Sequence, residues 1–276
     1  MKEIIVGHTP DADDAFMFYG LETGKVVSPI FTFKHVIEDI ETLNKYALKG
    51  TLDVTAISVY AYSFIKNHVI LTSGASFGVN YGPTVLSKKE LSLSQLKECS
   101  IAIPGKMTSA NLLLSLVIGK FKYFEMNFRN IPDAILSDKV DAGLVIHESQ
   151  ITYEKERLRK IIDLGAWWHI NTDGLPVPLG INVANIKSMS SEEIGAFNSL
   201  LRDSIVYGLR NVSSAVDYAM KYSRGHTKQV MEKFIKMYVN ENTVEMGETG
   251  KKAINKLLMM GLREGIVPSA TEPIFA

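Results

Sequence analysis

The sequence predicts an α/β protein built as two lobes with a ligand cleft between them. Three observations carry that reading. Residues 4 to 73 alternate strand and helix signals in the order β-α-β-α-β; the chain then changes character at Gly82-Pro83 and enters a second α/β unit; and from Ser190 onward it is helical. Alternation of this kind is the pattern of a parallel doubly wound sheet. Leaving one unit for another and returning requires two crossings, a ligand sits in a cleft between such lobes, and near-equal lobes with doubled crossings invite hinge closure.

Taken in order, Ile4 to Val6 reads as a buried strand that Thr9-Pro10 breaks. A helix follows over Asp11 to Glu22, with Asp11 as N-cap, Asp13 and Asp14 in the first turn where carboxylates suit the helix dipole, and Gly24 beyond its end. Ile30 to Val36 alternates as a strand, and Ile40 to Lys49 is an amphipathic helix ended by Gly50. Asp53 to Val59 is an apolar strand stopping at Ser58, Tyr60 to Lys66 a short helix, and Val69 to Ser73 a further strand. Thr84 to Ser87 reads as a strand crossing to the second body, which continues with a helix at Leu93 to Lys97 and a strand at Ser100 to Ile103. Past the turn Pro104-Gly105-Lys106-Met107, the helix Thr108 to Lys120 is apolar nearly all round and therefore buried. Phe124 to Phe128, a helix at Ile131 to Ser137 and a strand at Ala142 to Ile146 complete this unit. The prolines of Leu175 to Gly180 suit an edge or crossing strand. Ser190 with Glu193 forms a capping box opening a helix to Arg210, and helices follow at Ser213 to Tyr222, Thr227 to Val239 and Glu248 to Gly265, the last with Met259 and Met260 as core. The expected domains are a larger discontinuous α/β lobe, 1–86 and 184–276, and a smaller inserted α/β lobe, 87–183.

Composition narrows the function classes. With 276 residues, 46% hydrophobic and 22% charged, the chain is an ordinary globular protein. Thirty basic against 30 acidic side chains provide no basic field, so no nucleic-acid role is expected. Cys99 is the only cysteine, which excludes an intramolecular disulfide and a cysteine-rich metal centre. The N-terminus runs directly into a strand without a signal-peptide pattern and no apolar run approaches the length of a membrane span, so a cytoplasmic protein without membrane attachment is expected.

Among candidate site residues His147 stands first, because the strand Ala142 to Ile146 delivers it to its C-terminal edge, where ligands gather in open α/β sheets. Sequence spacing assigns it no partner: Asp141 is on the same strand face but too far along it, and Glu148 is only a neighbour. Asp11, Asp13 and Asp14 are read as N-terminal capping rather than a metal site, and no metal is expected. Gly105-Lys106 lacks the rest of a phosphate loop, since Met107 intervenes and Ser100 stands at the first glycine. Thr108 and Ser109, however, open a buried helix and offer amides and hydroxyls to a carboxylate or phosphate. Ser58 ends its strand where a ligand contact belongs, without a nucleophile elbow around it. Trp167-Trp168 is read as packing near the lobe junction.

The stretches Thr9-Pro10 with Asp14 and Phe16-Met17-Phe18-Tyr19, Glu38 to Asn44, Ile103-Pro104-Gly105, Ile146-His147-Glu148-Ser149 with Thr152-Tyr153, Asp163-Leu164-Gly165 with Trp167-Trp168, Leu175 to Gly180 and Tyr238-Val239-Asn240 occur in an order and spacing that resembles the 1,4-dihydroxy-6-naphthoate synthase family of the futalosine route to menaquinone. The resemblance covers nearly the whole chain. It implies a two-lobed periplasmic-binding-protein-like (type 2) fold used as an enzyme: a cofactor-independent carbon–carbon lyase that converts cyclic dehypoxanthinylfutalosine, a small-molecule carboxylate, to dihydroxynaphthoate and a three-carbon fragment. It places the general base at His147 and substrate contacts at Ala56, Ile57, Ser58, Thr108 and Ser109, with Asp14 beside the cleft. Bacterial members of the resembling family carry Ser-Pro-Cys-Pro-Asn-Asp-Thr near the start, where this chain has His8-Thr9-Pro10-Asp11-Ala12-Asp13-Asp14-Ala15, an acid-rich departure beside the expected cleft. Two rival readings share the fold: a non-catalytic solute-binding protein for small acids, and the sister enzyme that dehydrates chorismate.

Overall fold

The computed structural model describes residues 1–223, 225–270 and 272–276. Its first body contains β1 (Lys2–His8), α1 (Ala12–Glu22), β2 (Phe31–Ile37), α2 (Ile40–Lys49), β3 (Val54–Ser58), the single turn α3 (Val59–Tyr62), β4 (His68–Ile70) and β5 (Ser76–Gly78). The second contains β6 (Thr84–Ser87), α4 (Leu93–Glu98), β7 (Ser100–Ile103), α5 (Ser109–Ile118), β8 (Lys122–Glu125), α6 (Ile131–Leu136), β9 (Ala142–Val145), α7 (Ser149–Thr152), β10 (Arg159–Asp163) and α8 (Leu164–Asn171). The chain returns through β11 (Val177–Asn185) and closes with α9 (Ser191–Arg210), α10 (Val212–Ala219), α11 (Lys228–Tyr238), α12 (Glu241–Val244) and α13 (Gly247–Arg263).

Two sheets result. The first runs β2-β1-β3-β11-β4 with β5 also on β11, and the second runs β10-β6-β9-β7-β8. β1 is parallel to β2 and β3, and β7 is parallel to β8 and β9, as helix-connected strands should be. The sheets are nevertheless mixed rather than wholly parallel. β11 lies antiparallel to β3, β4 and β5, and β6 lies antiparallel to β9 and β10. Both strands follow an extended crossing between the bodies instead of a covering helix, so each enters its sheet from the opposite end. β6, through which the expected boundary at residue 86 passes, pairs wholly within the second sheet. Pro178 sits in β11 where the strand is paired with β5 and the register slips, which is how an internal strand tolerates a missing N–H.

Local causes are visible in the helices. α1 is buried from Asp14 to Leu21 because its apolar run is packed between the first sheet and α9 and α10. In α2, Asp39 accepts the amides of Glu41 and Thr42, and Gly50 closes the helix at φ 63°. The first crossing touches the start of α8 backbone to backbone. A Cβ on Gly165 would lie 2.0 Å from the carbonyl of Tyr81, so only glycine fits there, and the Leu164 amide donates to Pro83 across the same gap. Trp168 is fully buried with Nε1 donating to the Pro176 carbonyl, a packing residue at the junction. Met259, expected in the core, is instead 51% exposed on the outer face of α13.

One apolar cluster unites Ile57, Ile70, Phe77, Val183 and Ile254 of the first body with Ile101, Leu112, Leu144 and Trp168 of the second. The bodies therefore share a core along the α3, α5 and α13 side, and the cleft opens on the other.

Candidate active site

β9 carries the chain towards the cleft and leaves His147 two residues beyond its end, buried at 9% exposure. Phe128 packs on the imidazole with ring centroids 3.8 Å apart, and Phe234 of α11 flanks it at 6.5 Å. Across the cleft stands Asp11, whose Oδ2 lies 3.5 Å from His147 Nδ1, with both side chains buried. This corrects the sequence reading of Asp11. It occupies the N-cap position of α1, but its side chain makes no capping bond; it faces the other body. The rest of the turn divides its carboxylates. Asp14 turns back to accept the Thr9 amide at 2.6 Å, whereas Asp13 accepts from the Ser76 hydroxyl at 3.2 Å. Burial, together with the charges of Asp14 and Asp11, holds the Asp13 carboxyl well above the usual carboxylate range. Burial also raises Asp14, against the opposing effects of His8 and its bond from Thr9.

These groups surround a cavity of about 720 Å³. All seven residues singled out in the sequence, namely Asp14, Ala56, Ile57, Ser58, Thr108, Ser109 and His147, line it. Ser58 is locked in place by Asn44, whose Oδ1 accepts the Ser58 amide and whose Nδ2 donates to the Ser58 hydroxyl. Both hydroxyls at the start of α5 are already engaged. Thr108 Oγ1 caps the Asn111 amide and donates to the Gly105 carbonyl, and Ser109 Oγ donates to Leu179 and accepts from the Tyr60 amide. Of the expected amides and hydroxyls, the hydroxyls serve the fold, and Ser109 and Ala110 of the first turn, whose amides have no intrahelical partner, line the cavity. Among the described residues no Lys or Arg lines the cavity.

Further contacts tie the bodies together around this space. Glu41 Oε2 accepts the Met107 amide at 3.2 Å, and burial raises its carboxyl above the ordinary value. Tyr238 donates to Gln150 Oε1 at 2.8 Å, joining α11 to α7. Sequence reading missed Asp11 as a facing group, and with it Asp13, Ser76, Asn182 and Tyr238 in the lining. The acid-rich departure at residues 11 to 14 drew attention to the two acids, and Tyr238 stood only in a stretch of the family resemblance.

The arrangement sets one imidazole, a facing carboxylate and a helix N-terminus around one pocket, which suits proton transfer on a bound small anion. The menaquinone biosynthesis family matches residues 4–262, a span that includes every residue of the cavity lining. The chain belongs to that family. Across its entire length it is 34% identical to the 1,4-dihydroxy-6-naphtoate synthase of Thermus thermophilus, and it covers all of that relative. A crystal structure from Archaeoglobus fulgidus superposes with a TM-score of 0.91 at 45% identity, covering 96% of this chain and 98% of that one. The alkanesulfonate-binding protein of Xanthomonas axonopodis, at 13% identity, superposes with a TM-score of 0.74 over 100% and 99% of the two chains. The fold is thus the periplasmic-binding-protein-like one, here in a member of the menaquinone biosynthesis family. Among the described residues no helix is long and apolar enough to cross a membrane.

Proposed function

We propose that the chain is a lyase that cleaves cyclic dehypoxanthinylfutalosine to 1,4-dihydroxy-6-naphthoate and a three-carbon fragment, using His147 as general base and no cofactor. The observation that carries this reading is the meeting of His147 and Asp11 across the cleft of a full-length relative of 1,4-dihydroxy-6-naphtoate synthase. An imidazole, with a reference pKa of about 6.5, takes a proton near neutral pH more readily than any other side chain. Asp11 opposite Nδ1 orients the ring and stabilises the imidazolium that forms, leaving Nε2 to meet the carbon acid. The amides of Ser109 and Ala110 hold the substrate carboxylate at the start of α5, away from the acids of the α1 turn. Phe128 and Phe234 keep water from the imidazole. Proton abstraction followed by fragmentation then releases the aromatic product.

The test is to give purified protein cyclic dehypoxanthinylfutalosine and follow dihydroxynaphthoate by absorbance. Turnover supports the reading. Conversion of chorismate instead would transfer the chain to the dehydratase, and thermal stabilisation by small acids without turnover of either would make it a binding protein.

A further inference from the structure

Away from the cleft, His8, Glu22 and His35 meet behind the turn that carries Asp11. The first β-α-β unit brings them together. In the parallel pair β1 and β2, His8 is opposite Ile37 and Val6 is opposite His35, so the two histidines are diagonal neighbours on one sheet face. Glu22 is the last residue of α1, which covers that face, and Phe18 one turn earlier stacks on the His8 ring at 4.6 Å. His8 Nε2 lies 3.1 Å from His35 Nδ1 and 3.3 Å from Glu22 Oε1, and one ligand atom from each residue falls within 4.8 Å of the others. Donors on a tetrahedral ion with bonds of about 2.0–2.1 Å stand roughly 3.3 Å apart.

The polar accounting points the same way. His8 Nδ1 is 3.2 Å from the Thr9 carbonyl, which can only accept, so Nδ1 donates there and Nε2 is the atom turned to the cluster. Tyr218 donates to Glu22 Oε2, while Oε1 is buried without a hydrogen bond. Nε2 and Oε1 thus stand 3.3 Å apart, close to the spacing of two donors on one tetrahedral ion.

We propose that His8, Glu22 and His35 form a site for a divalent cation of the zinc type. Two imidazoles and one carboxylate are the donor set of Zn²⁺ and Co²⁺, and they are too few and too nitrogen-rich for Ca²⁺ or Mg²⁺. The Thr9 carbonyl on Nδ1 and the Tyr218 hydroxyl on Oε2 are outer partners that fix the tautomer and turn Oε1 inward. His8 is wholly buried while His35 is only half-buried, so the ion enters from the His35 side and keeps its fourth position there for water. Its role is structural: it clips β1, α1 and β2 together and steadies the turn bearing Asp11.

The experiment is calorimetric titration of chelator-treated protein with Co²⁺ and Zn²⁺, with the visible absorption of bound Co²⁺ as a second readout. One equivalent with the intense bands of a tetrahedral site is expected. His35→Ala and Glu22→Gln should abolish saturable binding, Tyr218→Phe should weaken it by about 10- to 100-fold, and His147→Ala should leave it intact. Far-ultraviolet circular dichroism checks that each variant is folded, and Glu22→Gln, which keeps side-chain shape, decides the matter if His35→Ala is not. Absence of saturable Co²⁺ binding in the parent protein would overturn the proposal. So would binding that survives Glu22→Gln undiminished or that disappears with His147→Ala.

Discussion

At the scale of single residues, the acid turn separates into three carboxylates with different tasks. Asp11 faces His147, so Asp11→Asn, which keeps shape and removes charge, is expected to lower kcat by about 10- to 100-fold with little change in KM. The acid limb of the kcat/KM profile should also move to lower pH, since the imidazolium loses the anion beside it. A fall confined to KM would make Asp11 a binding residue. Asp13 is the opposite case, a carboxyl pushed upward by burial and by Asp14 and Asp11. Such a shift favours the protonated form in the folded state more than in the unfolded one. The stability it contributes is present below the unfolded value near 3.9 and is lost as pH rises through the raised folded value. Asp13→Asn should therefore melt at a higher temperature than the parent at neutral pH, with the difference closing as pH falls towards about 4. An unchanged melting temperature at pH 7 would contradict it. His147 was legible because a short apolar strand ending in a histidine projects it to a sheet edge. Asp11 was not legible as its partner, because cap residues and cleft residues look alike until the second body is placed opposite.

At the scale of elements, strand–helix alternation recovered most of the units, since its periodicity is local. It failed for β11 and β6, whose direction depends on the path of a crossing rather than on side-chain period. The start of α5 is a similar case. Thr108 and Ser109 announce a helix N-terminus, but whether their hydroxyls serve a ligand or the fold is decided by Gly105, Tyr60 and Leu179, which arrive from elsewhere. The triad of His8, Glu22 and His35 escaped for the same reason, being spread over three elements with no short ligand spacing. The crossing itself is testable. Gly165→Ala sets a Cβ 2.0 Å from Tyr81 backbone, which no rotamer can relieve, and should cost about 1–3 kcal/mol in urea denaturation. A cost below about 0.5 kcal/mol would show that the first crossing and the start of α8 are free to part.

For the whole molecule, doubled crossings suggested two lobes hinged about a cleft, and the shared core qualifies that expectation. Leu112 of α5 is fully buried in the cluster that runs through both bodies and packs near Gly261 of α13. The lobes are joined by close-packed apolar contacts on one side, while Asp11–His147 and Tyr238–Gln150 close the other. Any opening of the cleft would have to break the polar contacts first, because the close-packed core holds the other side. Leu112→Ala should cost about 2–5 kcal/mol, and calorimetry should show one cooperative unfolding transition in parent and variant alike. Two separate transitions would mean that the bodies are independent.

The most direct measurement is steady-state kinetics of His147→Ala beside the parent protein on cyclic dehypoxanthinylfutalosine. With His147 as the base, kcat falls by about 10²–10⁴-fold while KM changes little, because the lost interaction belongs to the transition state. An unchanged kcat in a correctly folded His147→Ala protein would contradict the assignment.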